Sequence, residues 1–358
     1  MTKLTLNTQA LLAALKKSKD IIEKAPALPV LSNILIQAEG KMMKITSSDN
    51  EITLITSVEL AEESEALSAL LPFEYLFKTI ELARAENLTI EFKNGNAAIK
   101  VGNDTTDIKK LPDTGEFIKV PTFPKQSSVT VDASFMRTLN LALKTTNEKG
   151  ATYASYVCID LQAEKTVIVS TNAATLFTKS YAIKSEADPT QVMLKKKVVK
   201  AVKDFELTTI AWNKNHIAFE SGAVKIVAKR PDANYVKYEN VIPQKNENLV
   251  LDRAELEHAI KQAMVIAPSR ATKFTFSENT VNIYAHNPDN NISKTLTIHS
   301  EFDHTVLIEA IKLVPDQLMN LVEQVDFTAL HFTITAPDKG VLITAEDASY
   351  LALIMPMI

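Results

Sequence analysis

The apolar positions of this chain switch between two periods, and the switches recur along its length. Leu11, Leu12, Leu15, Ile21 and Ile22 fall near helical spacing, with Lys16, Lys17, Lys19 and Lys24 on the opposite side. The phrase that opens this stripe, LTLNTQALLAAL from Leu4, has counterparts in VTVDASFMRTL from Val129 and LVLDRAELEHAI from Leu249. Asn7, Asp132 and Asp252 sit at comparable places in the three phrases. A short side-chain oxygen there can accept the orphan N–H groups of a first helical turn. A second helical phrase also occurs three times: LPFEYLFKTI from Leu71, MLKKKVVKAV from Met193 and LVPDQLMNLV from Leu313. Leu76, Val198 and Leu318 align at separations of 122 and 120 residues, as do Ile80, Val202 and Val322. The spacing predicts helices over 8–24, 73–86, 132–149, 194–204, 252–270 and 312–324.

Between these phrases the pattern is short apolar–polar alternation broken at Asn, Asp, Gly or Ser, as in KMMKITSS, KTVIVST, TVNIYA and VLITAED. Ile45, Ile168 and Ile283 mark one such strand at separations of 123 and 115 residues. A period this long is a whole domain, since solenoid repeats run at about 20–50 residues. Antiparallel strands with two helices per repeat predict an α+β fold of three pseudo-repeated domains, 1–122, 123–245 and 246–358. Pro-containing stretches at Phe117–Ser128 and Asn240–Asn248 mark the junctions.

Charge sharpens the picture. The chain carries −4, while the six predicted helices together carry +5, so the remainder carries −9. The densest cationic segment is Lys195 to Lys203. Such faces are commonly just solvated, but a repeat would set equivalent helices on one surface of an otherwise acidic protein. The single cysteine, Cys158, lies in the apolar run YVCIDL and reads as buried and inert in a reducing cytoplasm. No apolar run nears the ~20 residues of a membrane span, and the N-terminus lacks a signal-peptide pattern.

Enzyme chemistry finds little support. GxSxG, HExxH, CxxC and phosphate-loop motifs are absent, and only seven glycines occur. Among the six histidines one cluster stands out, His299 to His304, with Glu301 and Asp303 between. It could hold a metal, but it reads better as a polar strand end and turn. Trp212 reads as a packed strand residue. The expectation is no enzyme, no catalytic residue, no cofactor and no metal.

The block PALPVLSNILIQAEGKMMKITSSDNEI, the phrase LPDTGEF near Leu111, the turn ANYVKYENVIP and the terminal ALIMPMI resemble, in collinear order, the bacterial DNA polymerase III beta subunits, the DNA sliding clamps. The resemblance implies a non-catalytic processivity factor: a head-to-tail homodimeric ring that encircles duplex DNA without reading sequence. It implies a groove that receives short motifs from the polymerase III alpha subunit, the clamp loader and repair polymerases, and a cytoplasmic, nucleoid-associated location. Carried over residue by residue, the DNA-facing positions are Lys24, Lys149, Lys196, Lys197, Lys200 and Lys203. The groove positions are Thr171, Ala173, Ala174, Thr175, Leu176, Val236, Asn240, Val241, Leu353, Met355, Pro356 and Met357. The dimer positions are Ile108, on an edge strand from Asp104 to Lys110, with Val265, Ile266, Lys294 and Leu296 opposite it in the region of the strand Ser293–Ile298. Departures are visible. The family phrase T-D-G-H-R-L is here Thr171 to Leu176, TNAATL. The usual Pro and Arg of the turn are Val236 and Asn240, and the chain stops at Ile358 before the usual basic-then-leucine end. These changes leave room for an accessory or mobile-element paralogue with other partners. Two further readings compete: an enzyme built on the His299–His304 turn, and a monomeric scaffold that has lost the ring.

Overall fold

The computed structural model describes residues 1–124, 127–150, 152–277, 279–302, 308–325, 327–346 and 349–357. Three times over, the chain runs strand, helix, strands, helix, strands. The first pass is β1 (Thr2–Asn7), α1 (Thr8–Lys19), β2 (Asn33–Ser48), β3 (Ile52–Pro72), α2 (Phe73–Glu81), β4 (Asn87–Lys93), β5 (Asn96–Val101) and β6 (Asp104–Ile108). The second is β7 (Ser127–Val131), α3 (Ala133–Leu141), β8 (Tyr156–Leu161), β9 (Thr166–Thr171), β10 (Thr175–Tyr181), β11 (Thr190–Lys195), α4 (Lys196–Val202), β12 (Thr208–Trp212), β13 (His216–Ser221) and β14 (Val224–Lys229). The third is β15 (Leu249–Asp252), α5 (Arg253–Ile266), β16 (Thr272–Ser277), β17 (Thr280–Asn287), β18 (Ile292–His299), β19 (Glu301–Phe302), β20 (Ala310–Leu313), α6 (Pro315–Val322), β21 (Ala329–Thr333), β22 (Val341–Ala345) and β23 (Tyr350–Ile354).

Every helix follows directly on a strand, and local chemistry makes the switch. The Asn7 side chain accepts the Ala10 N–H at 3.0 Å, and Asp252 accepts that of Glu255 at 2.8 Å. Pro315 opens α6, where its missing N–H costs nothing. The predicted helices are all present but shorter. Helix α1 stops at Lys19 in a tightened last turn, where the Ile21 N–H reaches the Ser18 carbonyl three residues back and shares it with Ile22, so the apolar stripe continues beyond the helix. Helix α3 gives way to a 3-10 turn over Ala142–Thr145, closed by Thr146, whose N–H and hydroxyl both donate to the Leu143 carbonyl. The expected edge strand ends at Ile108 rather than Lys110, because Lys110 takes a left-handed φ of 56°. Trp212 and Cys158 are buried in strands, as their patterns imply.

The strands form four antiparallel sheets: β1-β4-β5-β6; β2-β3-β14-β13-β12-β7; β11-β8-β9-β10-β23-β22-β21-β15-β19; and β18-β17-β16-β20. The chain groups into two compact units, residues 1–133 with 204–230, and residues 134–203 with 231–358. The middle pass is therefore divided. Its β12, β13 and β14 complete a sheet with β2 and β3, while its β8 to β11 continue into β23, β22, β21 and β15. In the first unit α1 and α2 bury Leu11, Leu15, Leu76 and Ile80 against Leu4, Leu6, Ile90 and Ile99 on one side and Ile34, Ile36, Met43 and Ile45 on the other.

The two sheets that join different passes do so in the same way. Strand β14 pairs with the start of β3, Ala228 opposite Ile52, and β23 pairs with β10, Ile354 opposite Thr175. The turn beside each junction repeats bond for bond. Ser48 Oγ donates to the Ile52 carbonyl at 2.8 Å and accepts the Asn50 N–H, while Asp49 Oδ1 accepts the N–H groups of Glu51 and Ile52. Thr171 Oγ1 donates to the Thr175 carbonyl at 2.6 Å and accepts the Ala173 N–H, while Asn172 Oδ1 accepts the N–H groups of Ala174 and Thr175. The neighbouring strand then adds Lys229 N–H to the Glu51 carbonyl in one case and Met355 N–H to the Ala174 carbonyl in the other.

Each turn needs a left-handed residue, with φ of 73° at Asn50 and 77° at Ala173. Asparagine tolerates that region, whereas alanine is strained by about 1–2 kcal/mol. Glycine removes the strain but adds about 0.5–1 kcal/mol of unfolded-state entropy. Ala173→Gly is therefore expected to raise the unfolding free energy, by up to about 1 kcal/mol in urea titration; a loss of stability would show that the turn holds alanine without strain.

Candidate functional site

A cavity of about 210 Å³ opens in the second unit beside the Thr171–Thr175 turn. Strands β9, β10 and β23 supply Thr171, Thr175, Leu176 and Leu353, the turn supplies Ala173 and Ala174, and Met355 follows β23. The segment after β14 adds Val236, Lys237, Tyr238 and Val241, and Tyr153 closes the remaining side. The floor belongs to a buried cluster that includes Cys158, Val169, Leu176, Met193, Tyr235 and Leu353. The mouth is apolar and open to solvent: Val241 is 59% exposed and Met355 40%. Lys237 is the one cation among the lining residues.

Two tyrosines hold the cavity wall from behind. The Tyr238 hydroxyl donates to Asp160 Oδ2 at 2.8 Å, and Gln162 donates to the same oxygen. Burial first, and the Asp160 carboxylate second, push the Tyr238 phenol well above its ordinary range. Burial likewise raises Tyr235, whose hydroxyl lies under the groove close to the Thr171 backbone. Both rings therefore stay neutral and act as rigid wall, and the site offers apolar surface and a few Thr and backbone groups. Nothing in this lining is arranged for bond-making; its chemistry is that of an anchor pocket for an apolar side chain.

Nine of the twelve groove positions expected from sequence line this cavity; Asn240, Pro356 and Met357 do not. Sequence reasoning missed Tyr153, Lys237 and Tyr238. Tyr153 sits in a 3-10 turn, Thr152–Ser155, that precedes β8 as Pro29–Ser32 precedes β2, so the repeat itself carried the signal.

The expected cationic positions are placed as follows. Lys24, Lys149, Lys200 and Lys203 are exposed, while Lys196 and Lys197 on α4 are half-buried. The Lys196 ammonium stands 3.3 Å from Glu148. Buried Val198, Val199 and Val202 anchor the opposite side of α4. Lys24 lies near Glu74, whose carboxyl is held below its usual range mainly by its hydrogen bond and charge contact with Lys78. Three of the five expected dimer positions lie on strands that are, among the described residues, the outer ones of their sheets. Ile108 is on β6, half-buried and packed partly on its own core, and Lys294 and Leu296 are on β18. Val265, at the end of α5, is 81% exposed, and Ile266 next to it is half-buried. Leu82, just after α2, is 81% exposed as well and was not anticipated.

His299 stands 3.7 Å from Glu255, and its backbone N–H donates to the same carboxylate. Asp303 and His304 lie outside the described residues, and among the described residues no group of three or more acidic, His or Cys side chains could hold a metal. No helix among them is long and apolar enough to cross a membrane.

Comparison with known proteins agrees with this geometry. Residues 2–121 match the family described as DNA polymerase III beta subunit, N-terminal domain. The beta sliding clamp of Pseudomonas putida is 24% identical over 298 residues, covering 80% of this chain and 81% of that protein, and the Escherichia coli clamp is 20% identical over the same span. The crystal structure of the Pseudomonas aeruginosa sliding clamp, at 19% identity, superposes with a TM-score of 0.90 over the full length of both chains. The Bacillus subtilis clamp gives the same score at 16% identity, covering 100% of this chain and 99% of that one. Residues 2–121 thus match the DNA polymerase III beta-subunit N-terminal domain model, and the chain as a whole is similar to the beta sliding clamps and shares the α+β fold of those that have been solved.

Proposed function

We propose that the protein is a DNA sliding clamp: three domains, 1–122, 123–245 and 246–358, closing into a ring by head-to-tail pairing of two copies. One observation carries this reading. Each junction within the chain joins the last strand of one pass to the same strand of the pass before it, β14 to β3 and β23 to β10. One strand of each kind is left over. Strand β6 occupies the place of β14 and β23, and β18 the place of β10, and each is the outer strand of its sheet. Transferring the register of the two internal junctions pairs Ile108 with Ile292 of the partner subunit, Thr105 with the partner's Thr295 and Asp104 with the partner's Leu296. Such a contact is heterologous, and two copies close it.

Helix ends support the same junction. At β10–β23, Gln324 donates to Thr145 at 3.1 Å and Lys144 pairs with Glu323. Leu82 follows Ile80 as Gln324 follows Val322, and Val265 and Ile266 end α5 where Thr145 ends the turn after α3. Among the described residues the two most exposed large apolar side chains, Leu82 and Val265, thus meet across the proposed junction and would leave water together.

Within that ring, Lys24, Lys149, Lys196, Lys197, Lys200 and Lys203 face duplex DNA. Phosphate contacts carry no sequence information, so the ring can slide. The groove takes apolar anchors of short segments from the polymerase III alpha subunit, the clamp loader and repair polymerases, turning their re-binding into an intramolecular event at high effective concentration. The protein performs no chemistry of its own and acts in the cytoplasm at the nucleoid. The small residues Ala174, Thr175 and Asn240, where the family pattern carries larger polar groups, favour an altered partner set and hence an accessory or mobile-element clamp as the second reading.

The native protein is expected to sediment as a dimer at micromolar concentration, to stay on nicked circular DNA after loading, and to run off once the circle is cut. Leu82→Asp should give folded monomers with an unchanged melting temperature, because the residue is exposed within one chain and buried only across the junction. A native monomer, or an unaffected variant dimer, would contradict the ring. Replacing Lys196, Lys197, Lys200 and Lys203 by Glu should shorten retention on circles and lower its salt dependence without creating sequence preference. Unchanged retention would place these lysines away from DNA.

A further inference from the structure

Of the seven glycines, Gly40, Gly95, Gly102 and Gly222 have positive φ, which explains them by backbone conformation. Gly340 has no such need. It immediately precedes β22 with an ordinary φ, and any residue could adopt its backbone. What excludes a side chain is space. A Cβ on Gly340 would lie 2.9 Å from Leu353 Cδ1, and 3.2 Å from both Leu353 Cγ and Met355 Sδ. No other glycine in the chain has so close a neighbour. Both side chains that a Cβ would strike line the groove.

The consequence is specific. Leu353 Cδ1 is the far end of a flexible side chain, so it can yield at little cost to stability. The open volume beside it is the groove, at about 210 Å³. A methyl group at position 340 would therefore push Leu353 and Met355 forward and make the groove shallower. We infer that Gly340 is a specificity-determining residue: by lacking a side chain it lets Leu353 and Met355 lie back, and so keeps the pocket deep enough for a branched or aromatic anchor of an apolar peptide segment. The inference rests on reading the groove as the partner site.

The test compares the full-length protein with Gly340→Ala and with Gly340→Ala/Leu353→Val. Probes are a decapeptide with adjacent Leu and Phe in a polar background and a twin with Ala at both places. Binding is followed by calorimetry, and the Met355 methyl resonance is recorded without peptide. Gly340→Ala should keep its melting temperature and oligomeric state, shift the Met355 methyl signal, and bind the Leu-Phe peptide about tenfold more weakly. The Leu353→Val change should restore most of that affinity, since valine has no Cδ1 to be displaced, whereas a merely structural defect would not be rescued. Unchanged affinity together with an unmoved Met355 signal would overturn the inference, as would weakening that Leu353→Val fails to relieve. If the unmodified protein does not distinguish the two peptides, the partner-groove reading fails and the specificity role falls with it; a shifted Met355 signal would then leave only the packing effect of Gly340.

Discussion

A sheet edge is a row of backbone donors and acceptors that must find partners or face water. The organisation of this protein follows from how its edges are used. Strand β14 lies on β3 and β23 on β10, so two sheets continue from one pass of the chain into the next. The turns that guard these junctions, Ser48–Ile52 and Thr171–Thr175, share a hydrogen-bond plan although their sequences differ. Among the described residues the edges of β6 and β18 are the pieces of that plan without an internal partner, and in the proposed ring a second copy would supply both.

The groove is a by-product of the same constraint. It forms where β23 meets β10, because Met355 must reach the Ala174 carbonyl and Leu353 must sit opposite Leu176. At the other junction the corresponding corner carries Glu51 and Lys229, a charged pair 3.9 Å apart, in place of Ala174 and Met355. The same turn thus carries apolar groove residues at one site and a solvated ion pair at the other. Specificity then depends on small differences of volume, which is why a single hydrogen at Gly340 in place of a methyl group matters.

Much of this was legible in the sequence. The helical stripes around Leu76, Val198 and Leu318 and the alternating strands gave the repeat, because burial on one face enforces period and spacing. Helix ends were not legible. They are decided by local competition, such as the Ile21 N–H reaching the Ser18 carbonyl three residues back, which apolar periodicity does not register. Most of the cavity lining coincides with positions read from the turn and the terminal strand, whereas Tyr153 was missed because its 3-10 turn, the counterpart of Pro29–Ser32, has no apolar periodicity to mark it. Leu82 was missed for a related reason: in one chain it is only an exposed leucine, and its meaning comes from comparison with Gln324 in the third pass. Ile108 was assigned to the junction, but its side chain also serves its own core, which makes Leu82 and Val265 the cleaner markers.

The most direct measurement is covalent. The transferred register sets Thr105 against the partner's Thr295, both exposed in the single chain, and the one native cysteine, Cys158, is buried. Thr105→Cys combined with Thr295→Cys should therefore oxidise to a disulfide-linked dimer in high yield, and a covalently closed ring assembled around a DNA circle should resist denaturant. Moving one cysteine by a single residue, to Asp104 or Thr106, should abolish the link, because the side chain then points to the other face of the sheet. Failure of the matched pair to cross-link, or equal cross-linking by the shifted pairs, would contradict the edge-to-edge ring.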